Sequence, residues 1–573
     1  MDNQRLVTWA LFGVMVWLTY QAWLQDYAPQ PVAAPATIEA PQRSAATDTS
    51  LPSLSEGDST GGDLPAVAAP GDSAPRDAGA PIIRVTTDVM IVDISLRGGT
   101  LVGATMLNYP VAKDQPDTLV QLLSTDSENL GLIQTGLNTG VEGQPMPSHT
   151  ALFQSRRTNY ELDGADEIVV PLRWADGSGV EVEKRFRFRR GSYAVQLEQQ
   201  LDNRSDAPWQ GGAYAQIVRR LRASERSMFN VDSYSFDGPI VYDGDKSEKL
   251  DADDLDNGRA YSFESEQGWL ASIEHHFLSA IVPARDGVYD FAVTLSSAGD
   301  STRSSTISKR QTVLPGASKI FTTTLYVGPK LQSQLEQIDP KLKLTVDYGW
   351  LTILSGPMFW LLNKLFGIIG NWGVAIMGVT ILIKLAFYKL TEASGRSMAK
   401  MRKLQPRMKV LQDRYKDDRQ QLSQAMMELY KREKVNPAAG CLPILIQMPF
   451  FLSFYWVLVE TVEMRQAPFM LWITDLSSKD PFFILPLIMG VAMFLQQKLN
   501  PTPADPVQAK VMQIMPIMFT GFFAFFPAGL VLYWATNTVL SIAQQWKINK
   551  VVEAEGKTMK GGKKKRKKEN GND

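Results

Sequence analysis

The apolar residues of this 573-residue chain are bunched. One run occupies Leu6–Leu24, a long stretch follows with no comparable run, and five more come after Trp350: Trp372–Leu390, Gly440–Val462, Phe482–Gln497, Val511–Phe526 and Leu530–Trp546. About 20 apolar residues cross a hydrocarbon core of about 30 Å at about 1.5 Å per residue. The pattern therefore predicts an α-helical polytopic membrane protein with six transmembrane helices. Pro443, Pro449, Pro486 and Pro516 fall inside the runs and blur their ends, which a spanning helix tolerates where neighbours re-satisfy its backbone. Leu6–Leu24 is longer than a secretory signal core and lacks a strongly basic start, and its nearest small-residue site, Val32-Ala33-Ala34, is followed by Pro35. An uncleaved anchor over residues 1–28 is expected rather than a cleaved signal.

Residues 29–81 are dominated by Pro, Ala, Ser, Gly and Asp. Such a segment buries too little surface to offset its ordering entropy, so a disordered tether is predicted. From Ile82 the pattern changes to short alternating strands. Ile168–Trp174, the turn Ala175–Gly179, then Val180, Val182, Phe186 and Phe188, and Tyr193, Val195 and Leu197 after Gly191 describe a meander. Many short antiparallel strands bury one face each only by facing a second sheet, so a β-sandwich over 82–345 follows. Residues 346–371 carry Ser355, Gly356, Pro357, Asn363 and Lys364 among apolar neighbours, a pattern suited to an amphipathic helix lying at the membrane interface.

Charge placement orients the spans. Between Lys389 and Lys434 there are thirteen Lys and Arg against six Asp and Glu, which assigns that loop to the cytoplasm. With spans at 372–390, 440–462, 482–497, 511–526 and 530–546, both termini are then cytoplasmic and the 82–345 domain is periplasmic. The basic tail, 547–573, ends in Lys563–Lys568. The cytoplasmic segment 391–436 repeats Met398, Met401, Leu404, Met408, Leu411 and Tyr415, then Leu422, Met426, Leu429 and Tyr430, at helical spacing. It predicts a hairpin of two amphipathic helices, interrupted at Pro406 and around Asp417-Asp418. A self-packed coiled coil and an adaptable Met-rich receptor for apolar segments both account for that spacing.

The chain has one cysteine, Cys441, and three histidines, His149, His275 and His276. That excludes a disulfide framework and a tetrahedral zinc set. Phosphate-loop and nucleophile-elbow patterns are missing as well, so no metal, cofactor or enzymatic chemistry is expected. Lys384 is the unusual residue. An ammonium at mid-bilayer costs roughly 2.5–3.5 kcal/mol, whereas snorkelling to the end at Leu390, about 9 Å away along the helix, would relieve that cost. Thr380 lies one turn earlier on the same face, and Gln447 lies in another span. Polar groups on separate spans suggest a shared hydrated cavity.

Taken together, the blocks Lys434–Pro437 (KVNP), Gly440–Pro449 (GCLPILIQMP), Arg465–Ile473 (RQAPFMLWI), Asp475-Leu476, Asp480-Pro481 and Phe526–Trp534 (FPAGLVLYW) closely resemble the Oxa/Alb/YidC family of membrane insertases. The anchor, tether and β-domain match its Gram-negative form in order and size. The resemblance implies a five-helix insertase core with a hydrophilic groove open to cytoplasm and lipid, and a periplasmic all-β supersandwich similar to mutarotase-like domains. It places Lys384, Thr380 and Gln447 in the substrate groove, with Lys384 where the family usually has arginine. Met448, Phe451 and Trp534 match an apolar face along which an incoming helix slides. Implied partners are nascent membrane proteins, the Sec translocon with its accessory subunits, the lipid bilayer and, through the basic tail, the ribosome; DNA is not among them. The rivals are a small-solute transporter, which predicts paired intramembrane charges and an internal repeat, and a membrane-tethered periplasmic carbohydrate-binding protein.

Overall fold

A computed structural model of the chain describes residues 80–141, 143–221, 235–255, 260–346, 348–415, 418–433, 435, 442–499 and 506–569. The expected anchor (1–28) and nearly all of the tether (29–81) lie outside these residues, as do Pro437 and Cys441.

The meander forms as its alternation dictates. Strands Glu167–Ala175, Val180–Arg189 and Ala194–Asn203 pair with Trp174 opposite Val182 and Phe186 opposite Leu197. This register turns Val182, Phe186, Phe188, Val195 and Leu197 inward, all 2% exposed or less. Gly179 closes the first hairpin at φ 93, where a Cβ would also press on the Ser205 backbone nitrogen at 2.9 Å. These strands are one flank of an eight-stranded sheet that continues through Ser318–Pro329, Phe277–Pro283 and Trp269–Ile273. Facing it is an eleven-stranded sheet in which Trp209–Arg220 lies between Gly131–Asn138 and Ser301–Ser308. A buried lysine lies between the sheets. Lys184 is fully buried, and its ammonium donates to the Gly98 carbonyl (2.6 Å), the Thr135 carbonyl (2.7 Å) and the Thr135 hydroxyl (3.0 Å). Burial pushes its pKa well below the ordinary lysine value.

From Thr352 onward the described residues form eight α-helices: α1 (Thr352–Ile369), α2 (Trp372–Ala386), α3 (Tyr388–Arg414), α4 (Arg419–Arg432), α5 (Leu442–Glu460), α6 (Ile484–Leu499), α7 (Pro506–Phe523) and α8 (Ala528–Glu569). One hydrophobic cluster runs unbroken from the sandwich through Leu342, Val346 and Tyr348 into α1, α2, α5 and α8. Among the described residues, α1 alone is long and apolar enough to cross a membrane as a single helix. This is the segment whose polar residues suggested an interfacial position. Its Ser355 is fully buried and donates to the Ser453 carbonyl of α5, while Asn363 and Lys364 are exposed near its end.

The helix beginning at Trp372 ends at Ala386, and the chain bends by 69° into α3. At the bend, the Phe387 ring docks edge-on against Phe450 of α5, 5.0 Å between centroids, which stops the apolar run from continuing straight. The hairpin is not interrupted at Pro406, since α3 runs through it. Proline removes one N–H, but Pro406 is exposed, so water can reach the carbonyl left without its donor while Leu404 and Met408 hold the other face. The second break does occur: Asp418 caps α4, accepting from the Gln420 and Gln421 amides at 3.0 and 2.9 Å.

The methionine seam of the hairpin is filled from within. Leu404, Met408, Leu429 and Val435 are buried together, flanked by Met401, Leu411, Met426 and Tyr430. At its foot α3 packs on α8, with Ala399 against Ile548 and Val552, and Lys403 donating to the Val552 carbonyl at 2.8 Å. The last helix does not stop at Trp546. It runs for 42 residues in all, from Ala528 to Glu569, into the basic tail.

Candidate functional site

The expected site residues lie on α2, α5 and α8. Asn371 starts α2: its side-chain oxygen accepts from the Val374 amide (3.0 Å), and its amide donates to the Phe469 carbonyl (2.9 Å). Gly373 follows because the Phe469 ring lies where a Cβ would be. Ala375, Ile376, Val379 and Thr380 then face inward.

Thr380 is 1% exposed, and its hydroxyl donates to the Ile376 carbonyl at 2.7 Å. A threonine packed among apolar neighbours satisfies itself on the preceding turn, so this hydroxyl is turned to its own helix rather than toward a cavity. Lys384, one turn further, is half-buried. Its ammonium donates to the Ser541 hydroxyl of α8 at 2.7 Å, and Ser541 donates onward to the Asn537 carbonyl at 2.7 Å. Because α2 ends at Ala386, Lys384 stands only about 3 Å from the helix end. It bridges two helices there, and its partner is an uncharged hydroxyl.

The polar partners on α8 were missed at the sequence level. Asn537, Ser541 and Gln544 recur at four- and three-residue spacing on one face of an apolar run, a signal that was present and unread. The seam continues past Lys384, since the Gln544 amide donates to the Thr391 hydroxyl at 2.8 Å and Thr391 donates to the Phe387 carbonyl at 2.8 Å. Gln447 is half-buried on α5 and, among the described residues, shares no hydrogen bond with Lys384 or Thr380.

The apolar residues are brought together more directly. Phe451 of α5 meets Trp534 of α8 edge-to-face at 4.7 Å, and Trp534 also packs on Phe523 of α7 at 5.2 Å. Met448, one turn before Phe451, is 41% exposed. Outward faces of α6 and α7 display Val491, Phe494, Ile514 and Ile517, more apolar surface than a water-soluble protein exposes without a partner.

A two-sheet sandwich on apolar helices, with a cation and a polar seam between two of them, defines a class: a membrane protein carrying a β-domain outside the bilayer. Residues 364–555 match the family model described as 60Kd inner membrane protein, and residues 82–361 match the YidC periplasmic domain. The chain is 46% identical over 567 residues to the membrane protein insertase YidC of Thioalkalivibrio sulfidiphilus, covering 97% of this chain and 100% of that one. It is 47% identical over 557 residues to the insertase of the same name from Methylococcus capsulatus, covering 96% and 99%. A crystal structure described as an active YidC insertase with its first transmembrane domain resolved is 21% identical, at a TM-score of 0.38, over 82% of this chain and 94% of that one. The chain belongs to the YidC family of membrane protein insertases. It is an inner-membrane protein with a periplasmic β-domain, and its function is insertion of membrane proteins. Neither the transporter nor the carbohydrate-binding alternative finds support in these relatives.

Proposed function

We propose that nascent helices enter the membrane along a groove where α2, α5 and α8 meet, with Lys384 as the counter-charge for acidic substrate residues. One observation carries this reading: the Lys384 ammonium is turned between α2 and α8, where a hydroxyl holds it and, among the described residues, no carboxylate is paired with it. Gln447 belongs to the groove wall, Thr380 packs behind it, and Ser541, Asn537 and Gln544 add a polar stripe opposite. Met448, Phe451 and Trp534 form the slide, supported by their aromatic contact and the exposure of Met448. The driving force is burial of about 20 apolar residues in lipid. The membrane potential adds roughly 2.3 kcal/mol per outward-moving anionic charge per 100 mV. No nucleotide is consumed.

The same proposal covers the membrane arrangement: an anchor at 1–28, a tether at 29–81, the β-domain at 82–345, an interfacial helix at 346–371, and spans near 372–390, 440–462, 482–497, 511–526 and 530–546. A face carrying Ile353, Trp360 and Ile368 beside Asn363 and Lys364 suits α1 to the headgroup boundary. Both termini and the 391–436 hairpin are cytoplasmic by the positive-inside rule. The filled methionine seam favours the hairpin as a braced arm on α8 over an open receptor. The basic tail meets anionic lipid or the ribosome, and the core works alone or with the Sec translocon.

The test is reconstitution of the purified chain in liposomes with a small two-span substrate, scored by protease protection. Protected fragments in vesicles holding only this chain are expected; a strict need for added translocon would refute the groove as sufficient. Ribosome co-sedimentation unchanged after deleting Lys563–Lys568 would remove the ribosome from the proposal.

A further inference from the structure

A polar pocket of about 410 Å³ lies where the β-domain meets the helical part. One wall is the hairpin tip Val111–Asp114 with the pair His275 and His276, and the other is the end of α5 with the loop that follows it. The two walls are tied together. Both imidazoles donate toward the Val459 carbonyl (3.1 and 3.3 Å), Arg465 donates to the Val111 carbonyl (3.0 Å), Gln466 to the Pro110 carbonyl (2.9 Å), and Lys113 to the Thr474 carbonyl.

The lining carries both signs of charge. Lys113 and Arg465 are cationic, while Asp114 and Asp475 are anionic. Asp475 is committed locally: one of its oxygens accepts from the Gln466 amide (3.0 Å), the Ser477 amide (2.8 Å) and the Ser477 hydroxyl (2.7 Å). Lys113 has three N–H donors, of which the Thr474 carbonyl takes one. Asp114 and Lys113 are both exposed at the hairpin tip. A simple anion would meet repulsion from Asp114, and a simple cation would meet repulsion from Lys113 and Arg465. A zwitterion with a phosphate and an ammonium a few atoms apart satisfies both.

The depth of the pocket is marked independently. The loop and its continuation hold Met470, Leu471, Phe482 and Phe483 outward at 50, 80, 64 and 41% exposure. Leu471 and Phe483 do so at φ 53 and 55, a left-handed backbone that costs a bulky side chain about 1–2 kcal/mol. Asp480 helps fix the second turn by accepting from the Phe482 and Leu485 amides at 3.0 and 2.6 Å. Apolar side chains held outward at such cost belong in the edge of the hydrocarbon, which sets the pocket at headgroup level on the periplasmic side.

We propose that this pocket seats the headgroup of a periplasmic-leaflet phospholipid bearing a phosphate and a primary ammonium, as in phosphatidylethanolamine. The phosphate faces Lys113 and Arg465, the ammonium faces Asp114, and the acyl chains leave along Leu458 and the exposed loop residues. A bound lipid would thereby brace the β-domain against the helical core.

The test uses the full chain in nanodiscs of mixed phosphatidylethanolamine, phosphatidylcholine and phosphatidylglycerol, with retained lipid counted by native mass spectrometry. Preferential retention of phosphatidylethanolamine over phosphatidylcholine is expected, because a trimethylammonium cannot donate to Asp114. Asp114→Asn should lower that preference about fivefold, roughly 1 kcal/mol, and Lys113→Gln should lower retention of both lipids. Both positions are exposed, and an unchanged melting temperature verifies the fold of each variant. Displacement of the lipid by soluble glycerophosphoethanolamine would overturn the lipid as its source. Equal retention of the two lipids, or a preference untouched by both substitutions, would overturn the site.

Discussion

Reversing the charge at Lys384 should separate substrates by their own charge. The ammonium is held by the Ser541 hydroxyl, half-exposed and about 3 Å from the end of α2. A substrate carboxylate passing at about 6 Å, in a hydrated site of effective permittivity roughly 40–80, gains about 0.7–1.4 kcal/mol. Lys384→Glu replaces that attraction with repulsion of similar size, a change of about 1.4–2.8 kcal/mol, or roughly 10- to 100-fold in insertion rate. Lys384→Arg keeps the charge and a donor for Ser541, and its insertion should stay within about threefold of wild type. The assay is protease protection in liposomes with matched substrates whose translocated tails carry either two Asp or two Asn. Only the acidic tail should respond to Lys384→Glu, and the difference should shrink at high salt. Equal insertion of the acidic substrate by the Glu and Arg variants would refute the counter-charge role.

Glu463, in the loop after α5, has its Oε2 out of solvent and without a hydrogen-bond partner, and burial raises its pKa to about 7. Since the folded value lies above the ordinary 4.5, the stabilisation it brings is complete below about 4.5 and is lost as pH rises through about 7. Glu463→Gln should therefore raise the melting temperature at pH 8 and flatten its pH dependence between 5 and 8; an unchanged profile would show that the carboxyl is solvated. Lys184→Ala leaves the Gly98 and Thr135 carbonyls without their donor inside the sandwich, for a loss of about 3–5 kcal/mol. Lys184→Met, which keeps the volume, should lose less by near-UV circular dichroism melting, and a neutral Ala variant would contradict the buried network. Gly373→Val drives a side chain into the Phe469 ring and should break the Asn371 contact with that loop, costing about 1–3 kcal/mol. New protease cleavage between residues 466 and 473 reports it, and an unaltered digest would count against tight packing there.

What could be read from the sequence was what is encoded locally. The strands from Ile168 to Leu197 announce themselves by alternation, and their register follows from a short glycine turn. The placement of Trp209–Arg220 between Gly131–Asn138 and Ser301–Ser308 could not be read, because those partners lie some 80 residues away on either side. At the site, Lys384 stood out as a charge in an apolar run, whereas Ser541 and Gln544 needed a period-3.6 reading of a span that looked uniformly apolar. The bend at Phe387 and the continuity through Pro406 are both decided by tertiary context: a ring seated on Phe450 in one case, an exposed outer face in the other.

The last helix carries Ser541 near its start and continues without a break to Glu569. At about 1.5 Å per residue it is a mast of about 63 Å, of which about 42 Å stands beyond Ser541. Whatever takes hold of its far end is kept at a set height and bearing from the lysine. Through Ser541, the Lys384 ammonium is tied to the same helix that bears the basic tail.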